Sequence, residues 1–210
     1  DAAMVPFVLG GDHALTHFAL ESVFAKHGPI GILHFDAHLD LNGTAPWLNH
    51  ANVFFHALAR PEVNALRQVG VRAYEVLTGW ERVIPDRRLS WVTAREVGSG
   101  LSPAQVLRGL PRNLPYYLTF DVDVLDPQVA PETGAPVAGG LRVEQLLPIV
   151  DAAARALRIV GADFMEVATA PTKRNAAAMA TGRILTELLL ARCRRTTLRP
   201  SKLGTPRSPG

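Results

Sequence analysis

The chain has 210 residues, room for one sizeable domain with a real core at ~150 residues per domain, and its 48% hydrophobic and 20% charged residues exclude a disordered chain or a coiled coil. No apolar run approaches the ~20 residues of a membrane span, and the opening stretch from Ala2 to Leu9 is short, carries Pro6 and lacks a basic flank, so neither a membrane partner nor a signal peptide is expected. The net charge of +3 is uneven: Arg192, Arg194, Arg195, Arg199, Lys202 and Arg207 contribute +6 with no acid among them, which leaves residues 1–191 at −3 and removes the case for a nucleic-acid partner.

In chain order, buried strands are predicted over 5–9, 30–35, 68–71, 89–93, 116–121 and 159–164. Helical periodicity falls over about 14–26, 74–82, 103–112, 143–157 and 175–192, the last rich in Ala and Leu with arginines at its negative dipole end. Apolar strands alternating with helices predict an α/β fold, a parallel sheet covered on both faces. Residues 1–191 read as that domain and 192–210 as a basic, disordered tail. The first strand begins almost at residue 1 with no initiator methionine, as expected of an N-terminally truncated chain. A single cysteine, Cys193, allows no internal disulfide and fits a cytoplasmic location.

Three acidic or histidine-bearing segments each follow a predicted strand: Gly10-Gly11-Asp12-His13, Asp36-Ala37-His38-Leu39-Asp40 and Asp121-Val122-Asp123. Open parallel sheets bind ligands beyond the carboxyl ends of their strands, so the three should meet on one rim. Alternation along an extended chain would point Asp36, His38 and Asp40 together, and likewise Asp121 and Asp123. Four carboxylates and two imidazoles on one rim demand a counter-charge. Two divalent cations cancel four aspartates, and oxygen donors mixed with imidazole suit octahedral Mn²⁺ better than thiolate zinc.

These segments resemble the signatures of the ureohydrolase family, the arginases and agmatinases. The third signature extends from Thr119-Phe120-Asp121-Val122-Asp123-Val124-Leu125-Asp126-Pro127 through Ala130-Pro131-Glu132-Thr133-Gly134-Ala135-Pro136 to Gly139-Gly140-Leu141. The resemblance covers roughly residues 5–190 and implies a three-layer α/β/α fold, two Mn²⁺ per chain and release of urea from a small guanidino substrate. It makes Asp36 and Asp121 the carboxylates that bridge both metals, with His13 and Asp40 completing one shell and His38 and Asp123 the other. A hydroxide bridges the metals in that family, consistent with two cations lowering the pKa of shared water. Glu166, in Gly161-Ala162-Asp163-Phe164-Met165-Glu166-Val167, resembles the glutamate that pairs with the substrate guanidinium, a bidentate match. His50, in His50-Ala51-Asn52-Val53-Phe54, resembles the histidine that passes a proton to the leaving amine. His17, His27, His34 and His56 are assigned to no metal, His34 by an expectation from strand parity that it points opposite the neighbours of His38. Arg72 is expected to be structural or to support the site residues from behind. The family also implies a homo-oligomer, a trimer or hexamer.

The sequence departs from the family at Ala14, Ala51 and Glu132, none a metal ligand, and full-length members carry further strand–helix units ahead of Gly-Gly-Asp-His. Asn42 resembles the asparagine that contacts the carboxylate of arginine in arginases. The compact 40–50 loop and the Asp-Val-Leu-Asp-Pro and Met-Glu-Val segments read closer to agmatinases, so an agmatine-like substrate is favoured, with L-arginine and formimidoylglutamate as alternatives. The rivals from other classes are a single-metal, deacetylase-like enzyme, which would not need His13, Asp40 and Asp123, and a truncated, inactive subunit.

Overall fold

The computed structural model describes residues 4–73, 85–168 and 174–197. Its elements are β1 (Phe7–Leu9), α1 (Leu15–His27), β2 (Ile30–Phe35), α2 (Val53–Leu58), β3 (Val63–Val71), β4 (Leu89–Thr93), α3 (Ala94–Gly98), α4 (Pro103–Val106), β5 (Pro115–Asp121), α5 (Val143–Ala156), β6 (Arg158–Met165) and α6 (Ala176–Thr197). The six strands form one sheet in the order β1-β6-β5-β2-β3-β4, parallel at every pairing. Every residue of β2 and β5 is buried, as a parallel sheet covered on both faces requires.

Two cores lie on opposite faces. Leu20, Val23 and Phe24 of α1 with Val53 and Phe54 of α2 pack on Ile30, Ile32 and Leu66. On the other face Val97, Val106, Leu146, Ile149, Ile184 and Leu188 pack on Leu33, Phe35, Leu118 and Phe120. Ile32 and Leu33 thus point to opposite faces, the period of two that makes a strand. The result is the three-layer α/β/α arrangement the sequence predicts.

Several boundaries differ for identifiable reasons. Strand β3 starts at Val63 rather than 68, because Asn64 and Arg67 break the apolar run; Arg67 leaves the sheet to donate to Ser90 Oγ and to the carbonyls of Val106 and Arg108. Helix α4 stops at Val106 rather than 112, with Gly109 at φ 82° and Pro111 beyond it. Helix α3, missed by periodicity, is started by a capping box between Thr93 and Glu96. Helix α6 runs to Thr197, five residues beyond expectation, and Arg192 and Arg195 donate to the carbonyls of Ile159 and Leu157. The first arginines assigned to the tail therefore fasten this helix to the start of β6. The helix predicted over 74–82 and residues 198–210 lie outside the described residues.

Candidate metal centre

The rim at the carboxyl ends of β1, β2, β5 and β6 gathers all three acidic segments. β2 and β5 are neighbours, which brings Asp36, just past β2, beside Asp121, the last residue of β5. His13 enters from the loop after β1. That loop is tied to β6 by Gly10 N–H to Phe164 O at 3.0 Å, Glu166 N–H to Gly11 O at 2.9 Å and His13 N–H to Glu166 Oε1 at 2.7 Å.

The convergence does not come from strand alternation as expected. Strand β2 ends at Phe35, and residues 122–124 form a 3₁₀ turn. Carboxylates instead fold their own turns: Asp36 Oδ1 accepts from His38 N at 2.6 Å, and Asp121 Oδ1 accepts from Asp123 N at 2.8 Å. Asp123 Oδ1 crosses back to accept from Ala37 N at 3.0 Å, locking the two turns together. Asp40 and Glu166, at φ 52° and 63°, are non-glycine residues in the left-handed region, the kind of strain that concentrates at functional sites.

His13 Nδ1 lies 3.4 Å from Asp36 Oδ2, 3.2 Å from Asp40 Oδ2 and 3.1 Å from Asp121 Oδ2. His38 Nδ1 lies 3.3 Å from Asp36 Oδ1 and 2.9 Å from Asp123 Oδ2. Asp36 is thus common to both groups, one with His13 and Asp40, the other with His38 and Asp123. The side chains of His13, Asp36, Asp121 and Asp123 are all at most 5% exposed, where unpaired charge is costly.

The electrostatics follow from that crowding. Burial raises the Asp40 carboxyl to about 7, helped by the charge of Asp36. The same causes lift Asp123 to about 6 and hold Asp121 well above the ordinary carboxylate range, with Asp123 adding to the latter. For His38, burial is outweighed by the adjacent carboxylates of Asp123 and Asp36, which carry it to about 11; His13 is raised by the carboxylates of Asp121, Asp36 and Asp40 crowded around its ring. Asp36 alone goes down, because the imidazoles of His34, His13 and His38 overcome its burial. Raised carboxyls and imidazoles packed together mark a site where added positive charge is favoured. The donor set fits divalent metal ions on a further observation: the buried His13 Nδ1 has no hydrogen-bond partner among the described residues, although three carboxylate oxygens face it.

A cavity of about 300 Å³ opens over these groups, lined by His38, Asp40, Asn42, His50, Asp123 and Glu166 among others. Every sequence-assigned site residue except the buried His13 and Asp36 lines it, and those two lie just beneath. His50 opens a 3₁₀ turn, His50–Asn52, that leads into α2, where the sequence suggested a loop. Its Nδ1 is 3.3 Å from Asp12 Oδ2 across the mouth, and both side chains are more than half exposed. Asn42 Oδ1 accepts from Thr44 N and Oγ1.

Arg72 donates to the carbonyls of Asp123, Val124, Leu125 and Val137, a structural tie as expected. Gly70 must be glycine: its φ is 105°, and a Cβ there would stand 2.4 Å from Val124 Cγ2 and 3.0 Å from Asp36 O. Glu132, a departure from the family pattern, accepts from Ala177 N at 2.9 Å in the first turn of α6, where a carboxylate meets the positive dipole end. The expectation for His34 is wrong in direction. It shares parity with Asp36, is fully buried beside it, and its Nε2 lies 2.7 Å from Asp36 Oδ2. The number spacing of two was the available signal.

Comparison with known proteins agrees with this geometry. The family model described as "Arginase family" matches residues 1–191. The chain is similar to the agmatinase of Sodalis glossinidius, 35% identical over 184 residues covering 86% of this chain and 57% of the relative. It is also similar to the human mitochondrial guanidino acid hydrolase, 32% identical and covering 94% and 57% of the two chains. Among solved structures, the proclavaminate amidino hydrolase of Streptomyces clavuligerus superposes with a TM-score of 0.80 at 30% identity, covering 90% of this chain and 64% of that one. The chain thus spans a little over half the length of the curated relatives it matches.

Proposed function

The chain belongs to the arginase family, and we propose that it is a binuclear, manganese-dependent amidinohydrolase that cleaves a guanidino C–N bond and releases urea, with an agmatine-like substrate. The observation that carries this reading is the buried cluster in which one carboxylate, Asp36, faces both His13 and His38 while Asp121, Asp40 and Asp123 complete the two groups. Two divalent cations held there would neutralise the four aspartates and supply water acidified enough to attack near neutral pH. The chain's own groups supply the rest. His13 and Asp40 would hold one cation and His38 and Asp123 the other, with Asp36 and Asp121 shared.

Glu166 stands at the cavity wall with Oε1 fixed by His13 N–H; its carboxylate would align the guanidinium by charge-assisted hydrogen bonds. His50, exposed at the mouth beside Asp12, would carry a proton to the departing amine. Among the described residues lining the cavity there is no Lys or Arg, while Asp12 adds an acid at the mouth. That charge distribution favours a substrate ending in an ammonium over L-arginine or a guanidino acid, whose carboxylates would meet the acids of this wall with Asn42 and His50 as the described polar groups nearest the mouth. The single exposed cysteine, Cys193, supports a cytoplasmic setting. Family membership supports a homo-oligomer. Among the described residues no helix is long and apolar enough to cross a membrane.

The test is urea release after Mn²⁺ loading from agmatine, arginine, guanidinobutyrate and guanidinopropionate in parallel, with Asp123→Ala as control. Release from agmatine above the others, lost in the control, is expected. Preference for a carboxylate-bearing compound would overturn the substrate assignment, and silence on all four with two metals bound would overturn the reaction class.

A further inference from the structure

Beneath the ligand rim runs a row of four polar side chains on adjacent strands. Gln68 on β3, His34 on β2, Thr119 on β5 and Asp163 on β6 are successive register partners across the sheet, and each is 0% exposed. The middle of a covered parallel sheet is ordinarily apolar, and buried polar groups there cost free energy unless they are bonded. Thr119 Oγ1 meets His13 Nε2 at 2.9 Å, and Asp163 Oδ2 accepts from Thr16 Oγ1 and Tyr117 Oη. The other half of the row centres on His34.

His34 is held at both nitrogens. Gln68 Nε2 lies 2.9 Å from His34 Nδ1 and 2.7 Å from the carbonyl of Leu39, in the turn between His38 and Asp40. An amide nitrogen only donates, so Nδ1 accepts, and the ring proton sits on Nε2, which donates to Asp36 Oδ2 at 2.7 Å. The Phe54 ring lies against the imidazole with centroids 4.0 Å apart and fills the space on that side. Asp36 is therefore gripped at both oxygens, Oδ1 by His38 N–H and Oδ2 by His34, and each oxygen keeps a lone pair directed at the cluster.

We propose that His34 and Gln68 form a fixed hydrogen-bonding clamp that orients Asp36, the carboxylate common to both halves of the centre, without either residue touching a metal ion. His34 lies close enough to His13, Asp36 and Asp40 to be counted with them as a ligand, but its two ring nitrogens are already committed, to Asp36 and to Gln68. The clamp is a positioning device, and it rests on the metal-centre reading. Because His34 and Gln68 are cross-strand partners, the backbone register itself fixes the direction in which Asp36 is presented.

The experiment is equilibrium Mn²⁺ binding to the purified, metal-stripped chain, followed by the EPR signal of the free ion, so that no turnover is needed. The wild-type chain is expected to take up two ions. His34→Leu should weaken binding about tenfold to hundredfold, the usual cost of losing a partner behind a metal ligand, and His34→Gln, whose amide N–H can stand where Nε2–H stood, should stay within about threefold of wild type. Wild-type affinity in His34→Leu would overturn the clamp. So would equal losses in the Leu and Gln variants, which mean packing alone, or one ion fewer per chain in either, which makes His34 a ligand. Should His34→Leu fail to fold by circular dichroism, Gln68→Leu decides: weaker binding supports the clamp and unchanged binding overturns it. A wild-type chain that binds fewer than two ions removes the metal-centre reading and the clamp with it.

Discussion

Replacing Asp40 with asparagine separates what this carboxylate costs the empty fold from what it contributes to metal binding. Asparagine is nearly isosteric and tolerates the left-handed backbone that Asp40 adopts at φ 52°, so the change is one of charge. In the metal-free chain, burial and the Asp36 charge raise the Asp40 carboxyl from the ordinary 3.8 to about 7. A carboxyl with a raised folded-state pKa costs stability as pH climbs from its unfolded value to its folded one, and the cost is complete above the latter. A rise of about three units at about 1.36 kcal/mol each is about 4 kcal/mol at pH 8, shrinking to roughly 2 kcal/mol at pH 5, where the folded carboxyl is protonated. At about 2–4 °C per kcal/mol for a chain of this size, metal-free Asp40→Asn should melt roughly 10 °C above wild type at pH 8, with a smaller gap at pH 5. Excess Mn²⁺ should reverse the order: each site filled at about 100 times its Kd adds about 2.7 kcal/mol, and the variant forfeits much of one site. Thermal unfolding by circular dichroism, in EDTA and in MnCl₂ at both pH values, reads all four states. A metal-free variant that melts below wild type at pH 8, or one that keeps the full Mn²⁺ gain, would refute the reasoning.

Three further outcomes are expected. Glu166→Gln retains an oxygen for His13 N–H but loses the anion, so kcat/KM for the guanidino substrate should fall by about 2–5 kcal/mol equivalent while bound Mn²⁺ is unchanged; steady-state kinetics with metal analysis checks this, and unaltered kcat/KM would remove the anchor. His50→Ala should lower kcat by about 10²–10⁴-fold and leave the melting temperature within error, since the side chain is exposed; undiminished kcat would assign the proton transfer elsewhere. Gly70→Ala forces a Cβ against Val124 and the carbonyl of Asp36 at φ 105° and should destabilise by more than about 1 kcal/mol while weakening Mn²⁺ binding, both read in the same titration and melt. A neutral effect would mean that this strand end is free to shift.

Much of this protein is legible in the chain itself. The fold class follows from apolar runs of strand length separated by helical periods, because a strand buried on both faces must be apolar throughout, as β2 and β5 are. The six candidate ligands are legible because each sits in a short contiguous string at a strand end, where side chains from distant segments must meet on one rim.

Tertiary structure decided how they meet. The carboxylates of Asp36 and Asp121 fold their own turns rather than inheriting a strand's alternation, a choice that depends on which backbone N–H lies in reach once β2 and β5 are side by side. Glu132 could be recognised in sequence only as a departure, and becomes a partner for α6 when that helix arrives. Arg192 and Arg195 read as tail until the start of β6 offers them carbonyls. His34 shows the division most clearly. Its parity with Asp36 is written in the sequence, but the amide that fixes its proton comes from Gln68, 34 residues away, and only the register between β2 and β3 brings the two face to face. Local pattern determines which residues reach the rim, because side-chain direction follows the backbone period. Hydrogen bonds between strands determine how those residues are held, because donor and acceptor become neighbours only when the sheet closes.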